Sequence, residues 1–333
     1  MSEISIKKMI MHILDSNLQM PVISEEEHVQ GEDITEFIEK HIEKIFGDDN
    51  LRTAHFTDSN SSVKRLLENL ASDSNQFIPA TQTMALKLFE LMKKHVDILP
   101  SDLFFCAFEA DRVLYLAVLK FNYKSSYIHY VENDGSRKVN TIIKQNTALP
   151  NENQKIDECA IINLNDFSVK VIEKKCEING ENMYYFSQMF LECSSQASVS
   201  ERVKMFNKAT EKFNKKYFED DINKKVEIKK AVMESIEESE VINVPKIAHT
   251  VFGNNPELKD EYMSEISKTG LKDTIPVTEK IYNRKFRTQK ITTDSGIEIN
   301  LPVDFYSDKD KIEFINNPDG SISILIKNVF KAD

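Results

Sequence analysis

Apolar positions recur along this chain in two rhythms, and the switches between them divide it. Ile4 to Leu14 alternates loosely and predicts an opening strand. Pro21 and the run Glu25-Glu26-Glu27 read as a solvated loop. From Asp33, an N-cap candidate, Ile34, Phe37, Ile38, His41, Ile42 and Ile45 fall at helical spacing until Gly47. Further helices are expected over Val63–Leu70 and over Gln76–His95, the latter with Ala85, Leu88, Phe89 and Met92 on one face.

The period then changes. Asp102–Phe108 and Val113–Phe121 are apolar runs separated by Glu109-Ala-Asp-Arg112, which is a hairpin pattern. Tyr127–Glu132, Lys138–Gln145, Lys155–Asn163 and Val169–Ile172 read as further strands, followed by an Asn179-Gly180 turn. This combination predicts an α+β domain over residues 1–186, with helices and a mainly antiparallel sheet.

Residues 187–333 are expected to form a helical region ending in β-hairpins. Val203, Phe206, Ala209, Thr210 and Phe213 are helically spaced, and Ile228, Val232 and Ile236 continue the pattern. Shorter helices are expected at Val244–Val251 and Pro256–Ser267, with Gly270 closing the helical part. From Lys285 the reading is β, with hairpin turns at Thr293–Gly296 and Asn316–Gly320. Ile312 and Phe314 alternate so as to face Ile322, Ile324 and Ile326. An isolated two-stranded ribbon is marginal in water, so that apolar face needs cover from the preceding helices or from a second copy. A homodimer is the expectation, since two-fold assembly is the commonest oligomer.

Charge sharpens the picture. The chain carries 54 acids against 43 Lys and Arg, a formal net charge of −11 over 333 residues. Yet residues 280–290 hold five basic groups and no acid: Lys280, Arg284, Lys285, Arg287 and Lys290. A basic cluster in an acidic chain suits a polyanion, and the interleaved Tyr282 and Phe286 could stack on sugars or bases. The competing reading is a charged edge strand that blocks sheet-to-sheet association, its aromatics turned inward. Residues 201–230 add ten basic groups against six acids. There Lys204, Lys208, Lys212, Lys215 and Lys216 lie along one helix, either as a phosphate-tracking stripe or as a solvated face. Residues 1–100, by contrast, hold 17 acids and 10 basic groups.

Catalytic and metal-binding signatures are sparse. Cys106, Cys159, Cys176 and Cys193 include no Cys-x-x-Cys and read as structural thiols. No His-Glu-x-x-His, P-loop, Gly-x-Gly-x-x-Gly or Gly-x-Ser-x-Gly is present. Asp102, Glu109 and Asp111 with Lys120 distantly match the acids and lysine of metal-dependent nucleases, but their spacing falls across a hairpin turn. There is no long apolar run and no signal-peptide pattern at the start, so a cytoplasmic protein without membrane contact is expected.

Several segments together resemble the bacterial nucleoid-associated protein family of the NdpA/YejK type. They are Ile6–Asp15, Leu116–His129, Gln154–Asn163, Gln289–Pro302 and Glu313–Ile324, and the likeness spans nearly the whole chain. These segments are strands and turns rather than a catalytic signature. The resemblance implies a protein of the nucleoid with double-stranded DNA as partner, no cofactor, no metal and no catalytic residue. The alternative is an interaction module that docks on a DNA-handling protein without touching DNA. The net acidity favours that alternative unless positive charge is concentrated on one face.

Overall fold

The computed structural model describes residues 3–329 except 134–136, 220, 293–294, 303–304, 306–307, 309 and 319–320, and the backbone alone at 222, 289–292, 316 and 322. The chain separates into two units, residues 1–197 and 198–333.

In chain order the first unit contains β1 (Ser5–Leu14), α1 (Glu32–Phe46), β2 (Arg52–Phe56), α2 (Ser62–Ser72) and α3 (Phe77–Lys94). Strands β3 (Ser101–Ala110), β4 (Val113–Asn122), β5 (Lys124–Asn133), β6 (Lys138–Ala148), β7 (Glu158–Asn163) and β8 (Val169–Ile172) follow. Short strands β9 (Cys176–Ile178), β10 (Glu181–Met183) and β11 (Cys193–Ser195) complete it. Seven strands form the main sheet in the order β1-β3-β4-β7-β8-β2-β11, and all its neighbours run antiparallel. The α+β reading holds.

Helices cover both faces of this sheet. Leu103, Phe105, Leu116 and Val118 pack in a core with α2 and α3 side chains such as Leu67, Met84 and Leu88. The alternate residues Phe104, Cys106, Leu119 and Phe121 pack with Ile38, Ile42 and Ile45 of α1. Burial on both sides explains why β3 and β4 read as continuous apolar runs instead of alternating. Their hairpin turns at Asp111 and Arg112, with φ of 51° and 63°. Positive φ at both central residues matches the twist of the flanking strands. Asn179-Gly180 makes the same kind of turn between β9 and β10, at φ 54° and 82°.

Two expectations about this unit change. Strands β5 and β6 do not join the sheet; among the described residues they pair with each other. The division between units falls after Ala197, past the expected 186, because β11 returns to pair with β2 and closes the sheet's edge.

The second unit has α4 (Val199–Phe218), α5 (Ile222–Ser239), β12 (Val241–Asn243), α6 (Val244–Phe252), α7 (Pro256–Ser267), β13 (Thr274–Pro276) and α8 (Glu279–Lys285). Two ribbons follow, β14 (Thr288–Thr292) with β15 (Glu298–Pro302), and β16 (Ile312–Asn316) with β17 (Ile322–Ile326). A capping box starts α4: Ser198 Oγ accepts from the Glu201 amide at 3.1 Å, and Glu201 Oε2 accepts from the Ser198 amide at 2.7 Å. Phe206, Phe213, Ile228, Ile247, Phe252, Tyr262 and Phe286 share one core. In the last ribbon Ile312 opposes Ile326 and Phe314 opposes Ile324, in the expected register. Ile312 is buried, whereas Ile326 remains half exposed. The two hairpin turns expected at 293–296 and 316–320 lie partly outside the described residues.

Candidate nucleic-acid interface

The basic tract at 280–290 is not the continuous strand suggested by its sequence. Thr278 caps a short helix, its Oγ1 accepting from the Ile281 amide at 3.3 Å, and α8 carries the chain to Lys285 before β14 begins at Thr288. Ile281 and Phe286 anchor the two ends of the segment in the core of this unit. Lys280 and Arg284 lie one turn apart and are exposed, as are Lys285 and Arg287. Arg287 Nη1 reaches Asn283 Oδ1 at 3.5 Å; Lys280, Arg284 and Lys285 have no ion-pair partner among the described residues. Lys290 sits on β14, and its side chain lies outside the described residues.

The interleaved aromatics do not form a stacking platform. Phe286 is 3% exposed and belongs to the core. Tyr282 is half-buried and donates its hydroxyl to Glu237 of α5. The inward orientation offered by the edge-strand reading is right for the rings, although the backbone there is helical.

The lysine stripe of α4 divides in two. At 100° per residue, Lys204, Lys208 and Lys215 fall within about 40° of each other around the helix, and Lys212 and Lys216 are rotated about 80–120° from Lys204. The rotated pair is neutralised by α7: Lys212 contacts Glu265 at 2.5 Å and Lys216 contacts Glu261 at 4.0 Å. Lys204, Lys208 and Lys215 are exposed with no ion pair among the described residues.

These three flank Glu211, which lines a cleft of about 210 Å³ between α4, α5 and the end of α8. Its floor is apolar, with Phe206, Ile228, Val232 and Phe286. Lys225, Lys229 and Lys285 stand around it, so α5 and α8 bring lysines together that are some 60 residues apart in sequence. Lys229 donates to the Thr288 carbonyl at 2.8 Å, and burial pushes its ammonium down to about 8. Lys225 and Lys229 belong to the basic excess of residues 201–230 without standing out from it. The signal that marks them is their spacing from Ile228 and Val232, which puts them on the shoulder of the buried face.

The nuclease-like set does not assemble. Lys120 pairs with Glu158, Asp102 accepts from Tyr123 Oη at 2.9 Å, and Glu109 meets Lys7 at 3.2 Å. Among the described residues no three His, Cys, Asp or Glu side chains gather as a metal site, and no helix is long and apolar enough to cross a membrane. All four cysteines are free thiols; Cys106, Cys159 and Cys193 are buried, and burial raises each of these three thiols.

The fold and this surface define a two-unit α+β protein that carries, on α4 and α8, exposed basic side chains with no ion pair among the described residues. The family model for nucleoid-associated protein YejK matches residues 10–332, and the chain belongs to that family. Membership assigns it a nucleoid-associated role in bacteria. No curated protein matches the chain.

Proposed function

We propose that this chain binds double-stranded DNA directly and without catalysis, through phosphate contacts from its C-terminal unit. Lys280, Arg284, Lys285, Arg287 and Lys290 make the first set of contacts, and Lys204, Lys208 and Lys215 the second. Lys212 and Lys216 contribute less, because Glu265 and Glu261 already hold them. The observation that carries this reading is the set of exposed cations on α8 and α4 that have no acidic partner among the described residues, in a chain of net charge −11. Unpaired Lys and Arg gain most where phosphates replace water and release counterions. Local concentration of charge resolves the conflict between overall acidity and a polyanionic partner.

The test is duplex binding at about 50 mM salt by the parent and by a K280Q/R284Q/K285Q/R287Q variant. These side chains are exposed, so the fold is expected to survive. At on the order of 1 kcal/mol per lost contact, affinity should fall by up to about a thousandfold. Unchanged affinity in a folded variant would contradict the assignment. Failure of the parent to bind would shift nucleoid association onto a protein partner.

A further inference from the structure

Strands β5 and β6 form a two-stranded ribbon on which every residue of β5 is exposed. The side chains are not those of a solvated hairpin. Tyr127 is 71% exposed and Ile142 73%, with Ile128, Tyr130, Val131 and Val139 about half exposed. Tyr127, Val131 and Ile142 lie on one face of the ribbon and Ile128, Tyr130 and Val139 on the other. A hairpin of this kind gains little from folding alone in water, which marks the ribbon as a place of assembly.

The outer edge of β5 has no strand beside it among the described residues. We propose that this edge pairs with the same edge of a second copy, in an antiparallel two-fold register centred on Ile128. Charge complementarity selects both partner and register. β5 begins with Lys124 and carries the only acid of the two strands, Glu132, eight residues on. Centring on Ile128 sets each Lys124 opposite the second copy's Glu132, and each Ser126 opposite the second copy's Tyr130. Because all even-numbered residues of a strand share one face, the same register brings Ile128 and Tyr130 of both copies onto one continuous surface. Ile143 and Val139 join them, lying opposite Ile128 and Glu132 within each ribbon. The β6 edge offers no such match, since it has Lys138 and Lys144 and no acid, and a two-fold pairing about Thr141 would oppose like charges. Lys124 remains available: among the described residues the one hydrogen bond of its ammonium is a 3.5 Å approach to Gln154 Oε1. The result is a four-stranded sheet built from two arms, separate from the terminal β16–β17 ribbon and independent of whether the protein binds DNA.

The experiment is sedimentation equilibrium of the full chain with charge-swapped arms. The parent is expected to be dimeric at tens of micromolar. K124E and E132K should each weaken the dimer at least tenfold, since each converts two attractive pairs into two repulsive ones. The K124E/E132K double variant should restore it. In addition, Ile128→Cys should form a disulfide-linked dimer under mild oxidation, because residue 128 faces its own copy across the axis. A monomeric parent would overturn the proposal, as would a dimer indifferent to both single swaps. A monomer whose arm variants lose duplex affinity would also overturn it, and would assign the ribbon to DNA.

Discussion

Lys120 on β4 stands directly opposite Glu158 on β7, with Nζ 2.7 Å from Oε2, and the lysine side chain is completely buried. Burial pulls the lysine downward while Glu158 counteracts it, and Asn122 accepts from the same ammonium. A buried pair of this kind fixes register more than it adds net stability, because desolvation offsets the attraction. Removing one member leaves the other charged and buried. Lys120→Met alone, or Glu158→Leu alone, should cost on the order of 3–5 kcal/mol by urea denaturation, with the double variant recovering most of that. A strictly additive double variant would contradict this coupling.

Glu192 ties the start of α2 to α3. Its carboxylate accepts from Ser61 Oγ at 2.6 Å, from the Ser62 amide at 2.8 Å and from Ser62 Oγ at 2.7 Å, and it pairs with Lys87. Partial burial alone would raise its pKa, but Lys87, Ser61 and Ser62 outweigh that and hold it at about 2. Its folded value lies below the usual carboxylate range near 4.3, so its contribution is complete above that value and disappears as pH falls toward 2. Glu192→Gln should lower stability by about 1 kcal/mol at pH 7, a typical value for loss of a helix cap, with little difference from the parent near pH 2.

Acid should also act through two buried histidines. His12 lies edge-on to Phe105 and accepts from the Ser24 amide at 3.1 Å; His41 packs between Phe37 and Phe121. Burial pushes both down to about 4, with Lys44 adding to the effect at His41. Between pH 6.5 and 4 the unfolded chain therefore binds more protons than the folded one, and stability drops as pH falls through that window. His12→Gln or His41→Gln should flatten the drop measured by thermal unfolding at pH 7 and pH 5.

Lys229 couples the proposed DNA contacts to alkaline pH. Its charge disappears as pH rises through about 8, whereas exposed lysines keep theirs to beyond 10. A nearby phosphate favours the protonated form, so duplex binding near pH 8 should take up protons and weaken between pH 7 and 9. Lys229→Gln should bind more weakly at pH 7 and lose most of this pH dependence. For stability the sign is opposite: the folded value is the lower one, so the parent gains stability from about pH 8 to 10.

The α+β class, the β3–β4 hairpin, the Asn179-Gly180 turn and the register of Ile312 against Ile326 were legible because each depends on local period and turn chemistry. The helix at 279–285 was not, because its signal is Thr278 as cap with Ile281 and Phe286 buried in a core that residues of α4 and α5, distant in sequence, also form. The isolation of β5 and β6 was hidden for a related reason: Tyr127, Ile128 and Ile142 have the composition of sheet strands, and only tertiary placement shows what they lack. At the candidate site, sequence supplied the cations but not their acidic partners. Glu265 and Glu261 lie some 50 residues from the lysines they neutralise, and only folding pairs them.

Direct DNA binding is tested most simply by the salt dependence of duplex affinity. If Lys280, Arg284, Lys285 and Arg287 neutralise four phosphates, log affinity should fall against log salt with a slope of about −3.6, steeper if Lys204, Lys208 and Lys215 also engage. The K280Q/R284Q/K285Q/R287Q variant should lose about that much slope. A parent slope near zero, or no duplex binding at about 50 mM salt, would contradict phosphate recognition by this surface.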